Sequence, residues 1–560
     1  NRGYYKVMND IDLTSWINEN SPTEGWVSIG RNSGEATYIN GDGHRITGLW
    51  INTTQDYTGL FSNFSAGIIK NLTVEVANGK KVKGGDYTGI LIGRNANGKL
   101  ENITVKGEVE GTGHVGGVVG YALNTILDKI TFDGTVTSNT TDAFAGGLAG
   151  IAEKCPITRS SANSIITTTG LNNRVGGLIG YAKDGTIDKS FVNTTLSVNG
   201  EKSYVGGLVG YSESLITQSY SSGNVTATGN NSYTSGLIGY ACSPVSNCYS
   251  TADVSGTLYS AGLVGYTFSS IDKCYATGNV EGVMYGAGIV GELDGSEARL
   301  TNSVAANNIL SLSAQSSWGC RVIGGYKNGA ADPNMSNYAL NTMQVSLNNV
   351  PQKKTDDLVE GVFKTSEDLY SQTSYISLGW DFNETWSIDS EYPFLYWNNP
   401  YKKEQTISIA TIENRKYGDE SFRLPSMTEQ GQAVTWSSND ATIVNINGQT
   451  ATILRAGDVT LTATSEETNE YMDFSKDYTV SIAKAKLKIS AQNCTRYMGD
   501  DNPEFTIIYS GFVNNDNASV LSVMPVATTT ANHNSPVGEY TISVSGATAE
   551  NYDIEYANGT

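Results

Sequence analysis

The apolar residues of this chain gather in a short phrase that keeps returning. It reads Gly-Gly-Leu-Val-Gly-Tyr at Gly206–Tyr211. Variants stand at Gly116–Tyr121, Gly146–Ile151, Gly176–Ala182, Ser235–Tyr240, Ala261–Tyr266 and Ala287–Glu292, with looser copies at Gly59–Ser62, Gly89–Gly93 and Arg321–Gly325. From Gly93 to Gly324, the last glycines of successive copies lie 27, 30, 30, 30, 29, 26, 26 and 33 residues apart. A second apolar peak follows each phrase by about nine residues, as in Ser219–Gly229, Cys248–Gly256 and Cys274–Gly282. These segments are short, β-branched and alternating, bounded by Gly and Asn, which predicts strands joined by turns. No helix-period segment of useful length interrupts them.

A period near 30 residues without helices predicts a stacked architecture. A propeller blade needs about 40–45 residues and four strands, and a sandwich does not demand a copied sequence. A parallel β-helix does, because each turn lies about 4.8 Å above the last and equivalent positions form columns. Ser160, Ser190, Ser219, Cys248, Cys274 and Ser303 occupy one such column, read as small buried side chains. About ten turns give a rod roughly 50 Å long, expected to be right-handed because parallel crossovers are. Residues 63–326 hold the repeats. Residues 1–62 are irregular and predict an N-terminal cap, since a stack needs an atypical first layer.

Residues 327–400 break the period and predict a C-terminal cap. Thr365-Ser366-Glu367-Asp368-Leu369-Tyr370 reads as a short capped helix with Thr365 or Ser366 at its N-cap. Trp380, Trp386 and Trp397 then fall close to Tyr392-Pro393-Phe394-Leu395-Tyr396, an aromatic density that closes cores. Residues 401–484 and 485–560 carry alternating strands, more charge and no repeat phrase. They predict two small Ig-like β-sandwiches in tandem, with Tyr417-Gly418-Asp419 and Tyr497-Met498-Gly499-Asp500 at comparable points. The fold class expected for the whole chain is all-β.

Composition narrows the chemistry. With 36 Lys+Arg against 56 Asp+Glu the net charge is −20, which argues against nucleic acid and anionic membrane surfaces. No run of about 18 apolar residues is present, so no transmembrane segment is expected. No signal peptide is visible, and the chain reads as a fragment or a mature form. Six Cys without a C-x-x-C pair make neither a disulfide framework nor a zinc module. Asp128-Lys129, Asp188-Lys189 and Asp272-Lys273 recur at one phase of the repeat, as solvated turns do and as a singular catalytic site does not. The Gly-rich nonapeptide of calcium-binding solenoids is absent. No cofactor or metal is expected.

One column stands out as a candidate binding surface. Tyr87, His114, Phe144, Arg174, Tyr204, Tyr233, Tyr259, Tyr285 and Trp318 each precede their repeat's last glycine by six residues. On an outer face, Tyr204, Tyr233, Tyr259, Tyr285 and Trp318 would stack sugar rings or grip a protein. The rival reading is structural, aromatics shielding a corner of the stack. Strict alternation puts Tyr204 on the face of Leu208, which favours burial, unless the glycine pair between them breaks the parity.

The Gly-Leu-Val-Gly phrase followed by Ser-Tyr-Ser-Ser-Gly-Asn-Val resembles the GLUG repeats of bacterial surface proteins, over roughly residues 57–326. The opening Tyr4–Leu13, the Gly-Asp-Gly-His-Arg-Ile turn and the closing Gly379-Trp380-Asp381-Phe382 look like the flanks of such arrays, so the resemblance extends over about 1–400. Segment 401–484 resembles a bacterial Ig-like domain through Val434–Asn439 and Arg455–Thr464. Segment 485–560 resembles an MBG-type domain through Tyr497–Pro503, Tyr509–Phe512 and Ser535–Tyr540. The resemblance implies a secreted or bacterial outer-surface protein, adhesin-like. The partner expected is a host or bacterial surface protein or a glycan, and the chain is expected to be monomeric. GLUG repeats also accompany some zinc peptidases that cut immunoglobulin A, but none of His44, His114 and His533 begins a His-Glu-x-x-His motif. The expectation is therefore a non-catalytic protein. The alternative is a glycan-binding or glycan-cleaving β-helix of a polysaccharide-foraging bacterium.

Overall fold

Strand Tyr204–Gly206 pairs in parallel with Arg174–Gly176 on one side and Tyr233–Ser235 on the other. The same register runs through nine short strands, from Thr88–Gly89 to Trp318–Cys320, so that every copy of the phrase lies directly above the one before it. This is the arrangement in the computed structural model, which describes residues 3–30, 37–330, 336–355, 359–389, 391–398, 402–468 and 471–560. The protein is nearly all-β, a parallel β-solenoid of about eleven turns followed by two small sandwiches. Two compact units divide at 396/397. The boundary expected from the sequence at 400/401 lies outside the described residues.

Each turn contributes inward residues from both peaks. In one turn these are Val205, Leu208, Val209, Ile216 and Val225, all 0% exposed. Val205 and Leu208 both point inward because the chain bends at Gly206-Gly207 and drops out of alternation. A Cβ on Gly207 would stand 1.9 Å from the Gly236 carbonyl oxygen of the next turn. The bend therefore turns Tyr204 outward, where it is half-buried. This corrects the burial expected from strict alternation.

The Ser/Cys column is a buried hydrogen-bond ladder. Ser160 N–H donates to Ser190 Oγ (3.2 Å), and Ser190 N–H to Ser219 Oγ (3.1 Å). Each hydroxyl donates back two residues, as Ser219 Oγ does to the Thr217 carbonyl at 2.7 Å. Cys248 and Cys274 do the same through sulfur and are free thiols. The residue before each, such as Lys189 (φ 48°) or Lys273 (φ 53°), is left-handed. The recurrent Asp-Lys pairs are thus turns: Asp188 accepts from Thr217 and Asp272 from Thr301, both at 2.7 Å.

At the N-terminal end a helix over Thr14–Asn20, not foreseen from the sequence, buries Ile17 in the core with Leu13, Leu49 and Trp50. Near the other end, helix Ser366–Leu369 is held by a capping box between Thr365 and Asp368. Trp380 and Trp386 then lie against the flank of the turns. Trp380 Nε1 donates to the Asn302 carbonyl (2.7 Å), and Trp386 Nε1 to Asn247 Oδ1 (3.2 Å). They cover Tyr249 and Tyr275, the buried part of a stack that begins at Phe191 and Tyr220.

In the second unit, a four-stranded sheet and a three-stranded sheet pack over Trp436, Val444, Leu461 and Val480. The strands Ile507–Ser510, Ala485–Ala491 and Tyr552–Ala557, with two two-stranded ribbons, enclose Leu487, Ile489, Val544 and Tyr552. Tyr417 packs between these bodies, donating to Asp516 Oδ2 at 3.0 Å. Its sequence counterpart Tyr497 is 86% exposed.

Candidate functional site

The bend at Gly206-Gly207 sets the outward faces of two consecutive strands toward each other. The first strand carries the aromatic column of Tyr204 and its equivalents, and the second carries the tyrosine that ends each phrase. The rings meet edge to face: Tyr204 with Tyr211 (5.3 Å, 88°), Tyr233 with Tyr240 (5.9 Å, 79°) and Tyr259 with Tyr266 (5.6 Å, 76°). Outer side chains of adjacent strands touch this way only where the corner between them is concave. Two columns therefore line one re-entrant edge of the solenoid.

All the column residues expected from the sequence fall in line. Tyr87 stacks on His114 at 4.6 Å, and His114 meets Phe144 edge-on. Arg174 Cζ lies 4.7 Å from the Phe144 ring centroid and 5.8 Å from that of Tyr204. Tyr204, Tyr233, Tyr259 and Tyr285 then stack at a constant 5.1 Å with 20–23° between planes. Trp318 continues the register above Tyr285. Exposure varies along the column: Tyr204, Tyr233 and Tyr285 are half-buried, Tyr259 is buried and Trp318 is 60% exposed.

Stacking occupies the ring faces. Tyr204, Tyr233 and Tyr285 offer edges and hydroxyls to solvent, and Trp318 offers exposed ring surface at one end. Each stacked pair contributes on the order of 1 kcal/mol beyond the area it buries, so the column also stiffens the corner.

The second column is not apparent as a surface from the sequence. Its signal is the residue directly after each last glycine: Tyr121, Tyr181, Tyr211, Tyr240 and Tyr266. Three of these hydroxyls bond acids of the next turn. Tyr121 OH donates to Glu153 Oε2 and Tyr181 OH to Glu213 Oε1, both at 2.9 Å, and Tyr266 OH bonds Asp294. Burial, and then the bond to Glu153, pushes the Tyr121 phenol up to about 12. Burial and a bonded acid raise Tyr181 and Tyr266 further.

The corner changes chemistry near its C-terminal end, where Glu292 takes the place of Tyr266 one turn on. Glu292 is 3% exposed and pairs with Lys327 Nζ at 2.6 Å. Asp294 accepts from Tyr266 and from Asn328 Nδ2, bonds that hold its carboxyl below the usual range. Among the described residues no group of three or more His, Cys, Asp or Glu is close enough to hold a metal ion, and no helix is long and apolar enough to cross a membrane.

Comparison with known proteins bears on the same residues. The model of the GLUG motif matches residues 203–226, and that of the MBG domain (YGX type) matches residues 487–560. The chain carries a GLUG motif and an MBG domain. The GLUG stretch holds one member of each column: Tyr204, Tyr211, Ser219 and Tyr220. Halomucin of Haloquadratum walsbyi is 34% identical over 134 residues, 22% of this chain and 1% of halomucin. A proposed Gly-rich membrane protein of Evansella cellulosilytica is 34% identical over 115 residues, 18% of this chain and 12% of that protein. The chain thus spans a small part of either relative. A crystal structure of a proposed immunoglobulin A1 protease from Bacteroides ovatus aligns at 18% identity and a TM-score of 0.23, over 71% of this chain and 87% of that one.

Proposed function

We propose that this is a non-catalytic, adhesin-like protein of the extracellular space or the bacterial outer surface. The solenoid presents the re-entrant corner as a binding surface for a host or bacterial surface protein or a glycan, and the sandwiches act as spacers. The observation that carries this reading is the repetition of the corner itself. The same pair of outward aromatics returns turn after turn in one register, which suits a row of contacts along an extended ligand. The name of one relative, a Gly-rich membrane protein, supports a location at the cell envelope.

A glycan-cleaving reading draws on Glu292, which puts a carboxylate in the tyrosine column, and on Asp294 two residues on. Both are engaged, Glu292 by Lys327 and Asp294 by Tyr266 and Asn328. Asp294, held below the usual carboxylate range by its bonds, is a poor proton donor, which favours binding over turnover. The test is to screen the protein on arrays of glycans and host matrix proteins, and to assay every bound polysaccharide for new reducing ends. Binding without product is expected. Reducing ends that appear with the wild type and vanish with Glu292→Gln would overturn the non-catalytic reading.

A further inference from the structure

The aromatic column is interrupted once by a cation. Arg174 stands where its neighbours place rings, and its guanidinium lies within 6 Å of four ring centroids: Phe144 (4.7 Å), Tyr211 (5.3 Å), Tyr181 (5.6 Å) and Tyr204 (5.8 Å). Such a cage holds a cation by ring quadrupoles. It does not neutralise it. Among the described residues the guanidinium has no carboxylate within salt-bridge distance, and its buried Nε has no hydrogen-bond partner. In a chain of net charge −20, acids are the commoner neighbours, so an arginine kept from them is set apart.

Arg174 lines a groove of about 500 Å³ on the outer face of the short-strand sheet, within the ~300–1,000 Å³ typical of small-ligand sites. One rim of the groove is a ladder of left-handed residues, one per turn: Asp142 (φ 57°), Asn172 (φ 56°), Lys202 (φ 57°) and Asn231 (φ 60°). Lys202 is exposed and, like Arg174, has no acid within 4 Å among the described residues. It lies one turn above Asn172, about 5 Å along the rod, on the side of Tyr204. Two unpaired cations thus face one groove, with amides and tyrosine edges beside them and Asp142 as the one lining carboxylate among the described residues.

We propose that this groove is a subsite for an acidic glycan, with Arg174 and Lys202 receiving a uronate carboxylate. The proposal deepens the binding role given to the corner and rests on it. A planar guanidinium fork matches a carboxylate. The side-chain amides of Asn172 and Asn231 and the Asp142 carboxylate suit sugar hydroxyls, which both donate and accept. A peptide fits less well. Strands Arg174–Gly176, Tyr204–Gly206 and Tyr233–Ser235 are paired on both sides, so no edge is free for strand addition.

The test is calorimetry on the full chain with tetragalacturonate, neutral galactotetraose and a tetraglutamate peptide. The variants are Arg174→Gln and Lys202→Glu; the second lies on an exposed side chain and leaves the stack intact. The wild type should bind tetragalacturonate at least tenfold tighter than the other two, and Lys202→Glu and Arg174→Gln should each remove at least tenfold of that affinity. Equal binding of tetragalacturonate and tetraglutamate would overturn the glycan assignment, and unchanged affinity in Lys202→Glu would overturn the site. If neutral glycans or matrix proteins bind and neither variant matters, this subsite falls while the binding role of the corner stands. No binding to any glycan or protein removes both.

Discussion

Tyr204 and Tyr211 meet edge to face, ring centroids 5.3 Å apart and planes at 88°, across a bend made by Gly206 and Gly207. Seven residues separate them, and alternation alone would set them on opposite faces of one strand. The bend puts both outside. At Gly206 a Cβ would stand 2.1 Å from the Val209 carbonyl oxygen, although later turns carry Ser235, Ala261 and Ala287 at the equivalent position. At Gly207 the equivalents Gly177, Gly236, Gly262 and Gly288 are all glycine. Gly207→Ala and Gly206→Ala should therefore each lower stability by about 2 kcal/mol or more, as overpacking against backbone does. Urea unfolding followed by far-UV circular dichroism reads both losses, and an unchanged midpoint in either variant would contradict the close approach at the bend.

The buried serine ladder makes a chemical prediction. Ser219 accepts from Ser190 N–H and donates to the Thr217 carbonyl. Ser219→Cys should cost under about 1 kcal/mol, because Cys248 and Cys274 already serve the same position and sulfur keeps a weak donor and acceptor. Ser219→Val leaves two buried backbone groups unpartnered, at about 1–3 kcal/mol each. Equal melting temperatures for the two variants would contradict the ladder.

The amino-acid sequence alone carries much of this fold. The 30-residue period dictates the stacking, because only vertical registry rewards a copied phrase. The Ser160-to-Ser303 column is readable because small residues recur at one phase. The direction of Tyr204 is not, since the two glycines that break parity carry no side chain to reveal which way the chain turns. The Tyr211 column is hidden by its own regularity, reading as the end of the phrase and not as a surface. The helix over Thr14–Asn20 escapes notice because its seven residues are too few to show a period. Tyr417 and Tyr497 look equivalent, yet one is buried by a neighbouring body and the other is not, which local sequence does not encode. The unpaired state of Arg174 is equally illegible, since it depends on which acids lie far away in space.

Alkaline titration tests the second column. Tyr121 is neutral in both folded and unfolded chains below pH 10. Between 10 and about 12 the unfolded chain ionises first, binds fewer protons, and stability falls as pH rises. Difference absorbance at 295 nm between the wild type and Tyr121→Phe should show a phenolate forming near pH 12, not 10. The wild type should also lose stability more steeply than the variant over that window.

Arg321 and Glu360 form an ion pair with side chains 2% and 7% exposed. Arg321→Met takes the guanidinium away from a buried carboxylate and should cost about 3–5 kcal/mol. Adding Glu360→Gln to it should recover part of the loss. Additive losses in the double variant, measured by urea unfolding, would show that the two groups do not interact.

Registry of the turns is tested most directly by distances along one outward column. Glu108, Thr135, Ile165, Thr195, Asn224 and Asp253 are successive partners on neighbouring turns. Spin labels at position 253 paired with labels at 195, 165, 135 and 108, in a background with Cys242, Cys320 and Cys494 replaced by Ser, give four distances by pulsed electron resonance. Vertical stacking requires narrow distributions that lengthen by about 4.8 Å per turn, reaching roughly 24 Å for the 108/253 pair five turns apart. Broad distributions, or distances that do not grow in equal steps, would mean that the turns do not lie one above another.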